Sequence, residues 1–122
     1  MYELKIINQF AAAHCLREFK GKCEHLHGHN WKVEVYLQAL NLDRIGLVKD
    51  FGEIKETTGE VLNGLDHKYL NDLPPFLQKN PSSENIARYL FAELSRRLND
   101  ARIRVSKVSV WESDTSCASY ME

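Results

Sequence analysis

Two stretches of the chain alternate between apolar and polar residues with a period of two. Over the first fourteen residues Tyr2, Leu4, Ile6, Phe10 and Ala12 fall on one face, and Glu3, Lys5 and Gln9 mostly on the other, as the two-sided geometry of a strand requires. The inner face of this strand ends at His14. Alternation returns at His27, with Trp31, Val33, Val35, Leu37 and Ala39 on one side and Asn30, Lys32, Glu34 and Gln38 on the other. His27 and His29 are in phase with the apolar side.

The period then changes. Asp50, with Glu53 three residues later, predicts a helix start, because side-chain oxygens there can accept the unpaired N–H groups of a first turn. Phe51, Ile54, Thr58, Val61, Leu62 and Leu65 follow at helical spacing. A loop holding Pro74, Pro75 and Pro81 leads to a second helix, capped by Ser82 or Ser83, whose buried face is predicted to carry Ala87, Leu90, Phe91, Leu94 and Leu98. Strand character resumes with Ile103 and Val105 in one phase and Val108 and Val110 in the other, which predicts a bulge near Ser106 or Lys107. Glu112 continues the Val108 and Val110 face, and a last short strand is expected at roughly 117–120. The order is two strands, two helices, two strands, without repeats. It predicts a single α+β domain over residues 1–122, with both helices packed on an antiparallel sheet, and 122 residues are enough for one core but too few for two ordinary ones.

Composition narrows the function classes. With 16 Lys and Arg against 17 Asp and Glu the net charge is -1, and the basic residues are dispersed, so no footprint for nucleic acid is expected. The N-terminal residues lack the features of a signal peptide and no apolar run is long enough to cross a bilayer, which predicts a soluble, cytoplasmic protein without a membrane partner. Three cysteines, Cys15, Cys23 and Cys117, cannot all pair within one chain, so reduced thiols are expected.

The chemistry concentrates in Cys23-Glu24-His25-Leu26-His27-Gly28-His29. Residues two apart on a strand point the same way, so His27 and His29 can reach one ion and His14, at the end of the neighbouring strand, can supply a third ligand. Three nitrogens suit zinc and leave a fourth position open for catalysis. A bare His-x-His is more often an ordinary hydrogen-bonded pair. Here four of the five histidines, His14, His25, His27 and His29, lie within sixteen residues, and two extend an apolar face where an unpaired imidazole is costly. Cys23 as a fourth ligand would instead close the site into a structural one, and spacing leaves both arrangements open. Asp66-His67 can form a carboxylate-oriented imidazole for proton transfer, or simply a turn cap beside a solvated ring. Glu112 is either a carboxylate at a core-facing strand edge that needs a partner, or a solvated residue past the strand end.

Taken in order, Phe10-Ala11-Ala12-Ala13-His14, Cys23-x-x-x-His27-Gly28-His29, Asp50-Phe51, Leu65-Asp66-His67, Pro81-Ser82-Ser83-Glu84-Asn85, and Glu112 with Thr115 resemble the 6-pyruvoyltetrahydropterin synthase and 6-carboxytetrahydropterin synthase family over essentially the whole chain. The resemblance implies the tunnelling fold: a four-stranded antiparallel sheet in the order ββααββ with two helices on one face. Trimers would close their sheets into a barrel and pair into hexamers, with active sites between subunits. It also implies that His14, His27 and His29 hold Zn2+, that Cys23 is a proton-transferring thiolate, that Asp66 and His67 form a second acid/base relay, that Glu112 anchors a pterin ring and that Ser82 and Ser83 contact substrate. The short length and Leu26 before the His-Gly-His triplet resemble the 6-carboxytetrahydropterin branch, which makes acetaldehyde and triphosphate besides its pterin product on the route to queuosine. The pyruvoyl product is the runner-up. Glu24 occupies the position at which a related subgroup, cleaving dihydroneopterin phosphates toward folate, uses glutamate in place of the cysteine. A zinc-binding structural module and a metal-free assembly protein working through its sheet edges are the readings from other classes.

Overall fold

The computed structural model describes residues 1–21 and 25–122. Strand β1 (Tyr2–His14) and strand β2 (His27–Ala39) pair antiparallel along their whole length, with Phe10 opposite Trp31, Ala12 opposite His29 and His14 opposite His27. Helix α1 (Phe51–Asn63) follows, then a two-residue strand β3 (Lys68–Tyr69), two 3-10 turns at Leu70–Asp72 and Pro74–Phe76, and helix α2 (Ser83–Leu98). Strand β4 (Ile103–Ser113) pairs antiparallel with β2, and strand β5 (Ser116–Met121) with β4. The sheet order is β3-β1-β2-β4-β5.

Four long antiparallel strands and two helices agree with the expected α+β architecture. The difference is β3, which runs parallel to β1 at Ala12 and Ala13 and makes the sheet mixed and five-stranded. Two residues after a helix carry no periodicity, so nothing in the sequence marks this strand.

Alternation builds the core directly. Ile6, Phe10, Trp31, Val33, Val35, Leu37, Val108 and Val110 are buried on one sheet face, against Ile54, Val61, Ile86, Leu90 and Leu94 of the helices. Removing a fully buried leucine such as Leu94 would cost about 2–5 kcal/mol. Phe51, placed on the α1 core face by its spacing, is 54% exposed, because the first residue of a helix lies beyond the end of the stripe its later turns bury. The predicted bulge is present: Tyr36 pairs with Lys107 and Leu37 with Val105, leaving Ser106 as the extra residue. That insertion lets Ile103 and Val105 share a face with Val108 and Val110.

Both helix starts obey the capping rule. The Asp50 carboxylate accepts the Glu53 N–H at 3.1 Å, and the Ser82 hydroxyl accepts the Asn85 N–H at 3.1 Å. Each such cap is worth about 1 kcal/mol. The acidic Glu84 in the first turn of α2 and Arg96 and Arg97 in its last complement the helix dipole. No helix among the described residues is long and apolar enough to cross a membrane.

Candidate metal centre

Strand register brings the three predicted histidines together. His14 and His27 are cross-strand partners and His29 lies two residues further along β2, so all three imidazoles leave the helix-covered face at the same end of the sheet. Trp31 forms the floor. Its ring lies edge-on at 4.9 Å from that of His14 and 5.2 Å from that of His29, it stacks on Phe10 from behind, and its indole N–H donates to the Ala12 carbonyl.

Two imidazoles are oriented by backbone carbonyls. His14 Nδ1 lies 2.7 Å from the Pro81 oxygen and His27 Nδ1 2.8 Å from the His25 oxygen. A carbonyl only accepts, so both Nδ1 atoms carry a proton, which in a neutral ring leaves Nε2 as the atom able to ligate. Those two Nε2 atoms stand 3.0 Å apart. Glu112 completes the group: its Oε1 is 3.2 Å from His14 Nε2 and 3.2 Å from His29 Nε2, and the four ligand atoms all lie within 4.8 Å of one another.

Lone pairs and a carboxylate at such distances repel unless a cation, a proton or a metal ion, lies among them. A tetrahedral zinc ion with ligands at 2.0–2.1 Å holds its donor atoms roughly 3.3 Å apart. The observed spacings of 3.0 and 3.2 Å match that edge, and the nitrogen-rich donor set suits the same ion. The residues present therefore fit a metal, and His14, only 1% exposed, is the most deeply set of them.

Glu112 is the residue whose place the sequence leaves undecided. Continuing the Val108 and Val110 face, it arrives beside the histidines with its side chain 37% exposed, neither solvated beyond the strand nor fully enclosed.

Asp66 and His67 form the expected pair, His67 Nδ1 lying 2.9 Å from Asp66 Oδ2. They dock on the outer edge of β1: Asp66 Oδ1 accepts the Ala11 N–H at 2.9 Å, and the His67 N–H donates to the Ala11 carbonyl. Those bonds, the Ala11 N–H first and the His67 ring second, hold the Asp66 carboxyl below the usual aspartate range. His67 has a φ of 58° and its side chain is 81% exposed. The pair thus faces outward from the sheet edge rather than joining the histidine cluster. A shallow hollow of about 250 Å3 is lined by Ala11, Ala12, Gly28, His29 and Asn30, and a larger one of about 360 Å3 against α2 and β5 contains none of the candidate site residues.

Cys23 and Glu24 lie outside the described residues. Ser82 and Ser83 stand half-buried at the start of α2, beside the Pro81 carbonyl that orients His14, with the Ser82 hydroxyl engaged as the helix cap. Cys15 and Cys117 are free thiols. Sequence reasoning missed Asn71 and Asn80, both of which bind the backbone immediately after His14. Asparagine in a proline-rich loop reads as a turn former, and only burial reveals the other use.

The family described as 6-pyruvoyl tetrahydropterin synthase matches residues 3–122. A protein of Archaeoglobus fulgidus described as a putative 6-carboxy-5,6,7,8-tetrahydropterin synthase is 39% identical over 103 residues, covering 84% of each chain. The 6-carboxy-5,6,7,8-tetrahydropterin synthase of Synechocystis is 38% identical over 117 residues, 91% of this chain and 86% of its own. Among solved structures, the 6-pyruvoyl tetrahydropterin synthase of Caenorhabditis elegans superposes with a TM-score of 0.86 at 28% identity, covering 99% of this chain and 95% of that one. A Plasmodium vivax 6-pyruvoyltetrahydropterin synthase, in a variant that replaces a catalytic glutamate by alanine, superposes with a TM-score of 0.83 at 26% identity over 99% and 97%. Matched by the family model over residues 3–122 and by relatives at 38–39% identity over most of its length, the chain belongs to the 6-pyruvoyl tetrahydropterin synthase family.

Proposed function

We propose that the protein is a zinc-dependent lyase that converts 7,8-dihydroneopterin triphosphate into 6-carboxy-5,6,7,8-tetrahydropterin, acetaldehyde and triphosphate. The observation that carries this reading is the convergence of His14, His27 and His29 with Glu112, their ligand atoms all within 4.8 Å of one another; the names of the relatives supply the pterin product, and the substrate follows from the resemblance to the family. Bound zinc would polarise the side-chain hydroxyls of the substrate and acidify the adjacent C–H and O–H groups.

The remaining work falls to the chain. Glu112 can accept two parallel hydrogen bonds from the amino group and ring N–H of a pterin, fixing the ring so that its side chain reaches the histidines. Asp66 orients the ring of His67, which suits the pair to pass a proton. Cys23 serves as the base in its thiolate form, the form that does nucleophilic and proton-accepting work, and Ser82 and Ser83 offer hydroxyls at the start of α2. A hollow of about 250 Å3 is small against the usual range for ligand sites, which supports a homo-oligomer in which a neighbouring subunit completes the pocket.

The test is product analysis by mass spectrometry on zinc-loaded protein given dihydroneopterin triphosphate. Acetaldehyde and the carboxypterin are expected in equal amounts. A pyruvoyl product without acetaldehyde would assign the runner-up activity. A hydroxymethylpterin would assign the base to Glu24, a second reading favoured by the catalytic glutamate of the Plasmodium vivax relative. Zinc bound without any turnover would leave a structural module. Cys23→Ala should keep the metal and lose turnover. Glu112→Ala should also keep zinc while raising KM at least roughly 10- to 100-fold, the worth of one of its two charge-assisted hydrogen bonds; loss of zinc instead would make Glu112 a fourth ligand.

A further inference from the structure

Among the described residues, the chain that leaves β1 after His14 has no strand beside it, yet its backbone is paired. The Cys15 N–H donates to the Asn71 side-chain oxygen at 3.0 Å, and the Asn71 amide donates back to the Cys15 carbonyl at 2.9 Å. Two residues on, the Arg17 N–H donates to the Asn80 side-chain oxygen at 2.8 Å, and the Asn80 amide donates to the Arg17 carbonyl at 2.9 Å. Each asparagine offers one donor and one acceptor, the pair a neighbouring strand residue would present. The two side chains therefore continue the ladder of β1 for three residues past the metal-facing histidine. Arg17 locks the arrangement by donating to the carbonyls of Asn71 and Phe76 at 3.2 and 2.8 Å.

Asn80 differs from Asn71 in being joined directly to Pro81. The Pro81 carbonyl accepts the His14 Nδ1–H, and its ring fixes φ near −65°, so that it transmits the orientation of Asn80 with little play. The Asn80 carbonyl in turn accepts the Asn85 amide at 2.9 Å, tying the same dipeptide to the first turn of α2. One dipeptide, Asn80-Pro81, thus grips the end of β1 and the segment that follows it at two points: the imidazole of His14 and the backbone of Arg17. The Pro81 carbonyl cannot shift to follow a turned ring without straining the Arg17 clamp.

We propose that Asn80 is a positioning residue of the metal centre, acting through Pro81 to hold the imidazole of His14 in ligating orientation. This rests on the reading of the histidine cluster as a zinc site, and not on the identity of the substrate. Outer groups that orient a ligating histidine commonly carry 10- to 100-fold in metal affinity.

Zinc affinity, measured by competition with a chromogenic chelator, and the visible absorption of the cobalt-substituted protein test it. Asn80→Ala should weaken zinc binding 10- to 100-fold and shift the cobalt bands. Asn80→Asp, which keeps the acceptor for the Arg17 N–H and loses the donor, should shift both in the same direction by less. Asn99→Ala is the control. Its side-chain oxygen accepts the Val105 N–H at 2.7 Å, so it removes a comparable backbone clamp away from the histidines, and it should lower stability without touching zinc affinity or the cobalt spectrum. Should Asn80→Ala fail to fold, Asn80→Asp decides. Zinc affinity within threefold of wild type and unchanged cobalt bands in the folded Asn80 variants would overturn the proposal, whatever their melting temperatures. Wild-type protein that binds zinc but turns over no pterin would defeat the proposed reaction and leave this inference standing; wild-type protein that binds no zinc would defeat both.

Discussion

His67 keeps its backbone at a φ of 58°, a conformation that costs an L-residue about 1–2 kcal/mol relative to the right-handed region. The cost is met by the bond from its N–H to the Ala11 carbonyl and by Asp66 gripping the Ala11 N–H. Local strain held by its surroundings is a mark of functional positions, and here it turns an exposed imidazole outward beside its carboxylate. His67→Gly should therefore separate stability from activity. Glycine meets no penalty at this φ, so a urea titration should show stability unchanged or raised by up to about 1 kcal/mol, while turnover falls at least 100-fold with the loss of acid/base catalysis. A variant as active as wild type would remove His67 from the chemistry.

Among the elements, β4 carries the most information per residue. Its amino-terminal half buries Ile103 and Val105 and its carboxy-terminal half Val108 and Val110, and only Ser106 reconciles them with one face. Glu112 meets the histidines for the same reason: it is two residues beyond Val110 on that face. Deleting Ser106 would rotate one half of the strand to the opposite side. Exposing Ile103 and Val105 would cost on the order of 3–6 kcal/mol, comparable to the whole stability of a small domain. The expected outcome, read by near-ultraviolet circular dichroism and thermal melting, is loss of the cooperative transition. β3 behaves oppositely. Its two residues owe their strand geometry to the neighbouring β1, which is why alternation predicts β4 with its bulge and is silent on β3.

At the scale of the whole molecule, acid sensitivity follows from four carboxylates held below their usual range: Asp43 and Asp100 by backbone N–H groups of their own turns, and Glu34 and Asp66 by partners on the sheet. Burial alone would raise the Glu34 pKa, but hydrogen bonds from the Trp111 indole and Lys5 outweigh it and hold the group ionised below its usual range. Asp66 is lowered by the Ala11 N–H first and by the His67 ring second. A carboxyl whose folded pKa is depressed contributes stability that is present above its unfolded value, about 4, and lost as pH falls through the lowered folded value. Stability should thus decline below about pH 4, and Asp66→Asn should make that decline shallower in urea titrations run across the acid range.

Much of this organisation is legible in the order of residues alone. Two-residue and helical periods place β1, β2, α1 and α2, the phase change locates the bulge, and the phase of His27 and His29 with Trp31 puts three histidines at one end of one face. What escapes is whatever depends on long-range closure. The convergence of Glu112 on the cluster needs the β2–β4 register, and the clamps of Asn71 and Asn80 join residues 56 and 63 apart in sequence, for which no local pattern exists.

The docking of Asp66 and His67 on Ala11 also fixes which way β1 faces. The N–H and C=O of Ala11 point away from β2, and on an antiparallel strand alternate residues share that direction. Glu3, Lys5, Ile7 and Gln9 therefore aim their amides past the sheet edge, while β3 reaches only Ala12 and Ala13. In an isolated chain these four protons should trade with deuterated solvent within seconds to minutes, beside slow neighbours at Leu4, Ile6 and Asn8. If copies of the chain join edge to edge, the alternation disappears and all seven become slow. Amide exchange along one strand would thus report assembly, residue by residue.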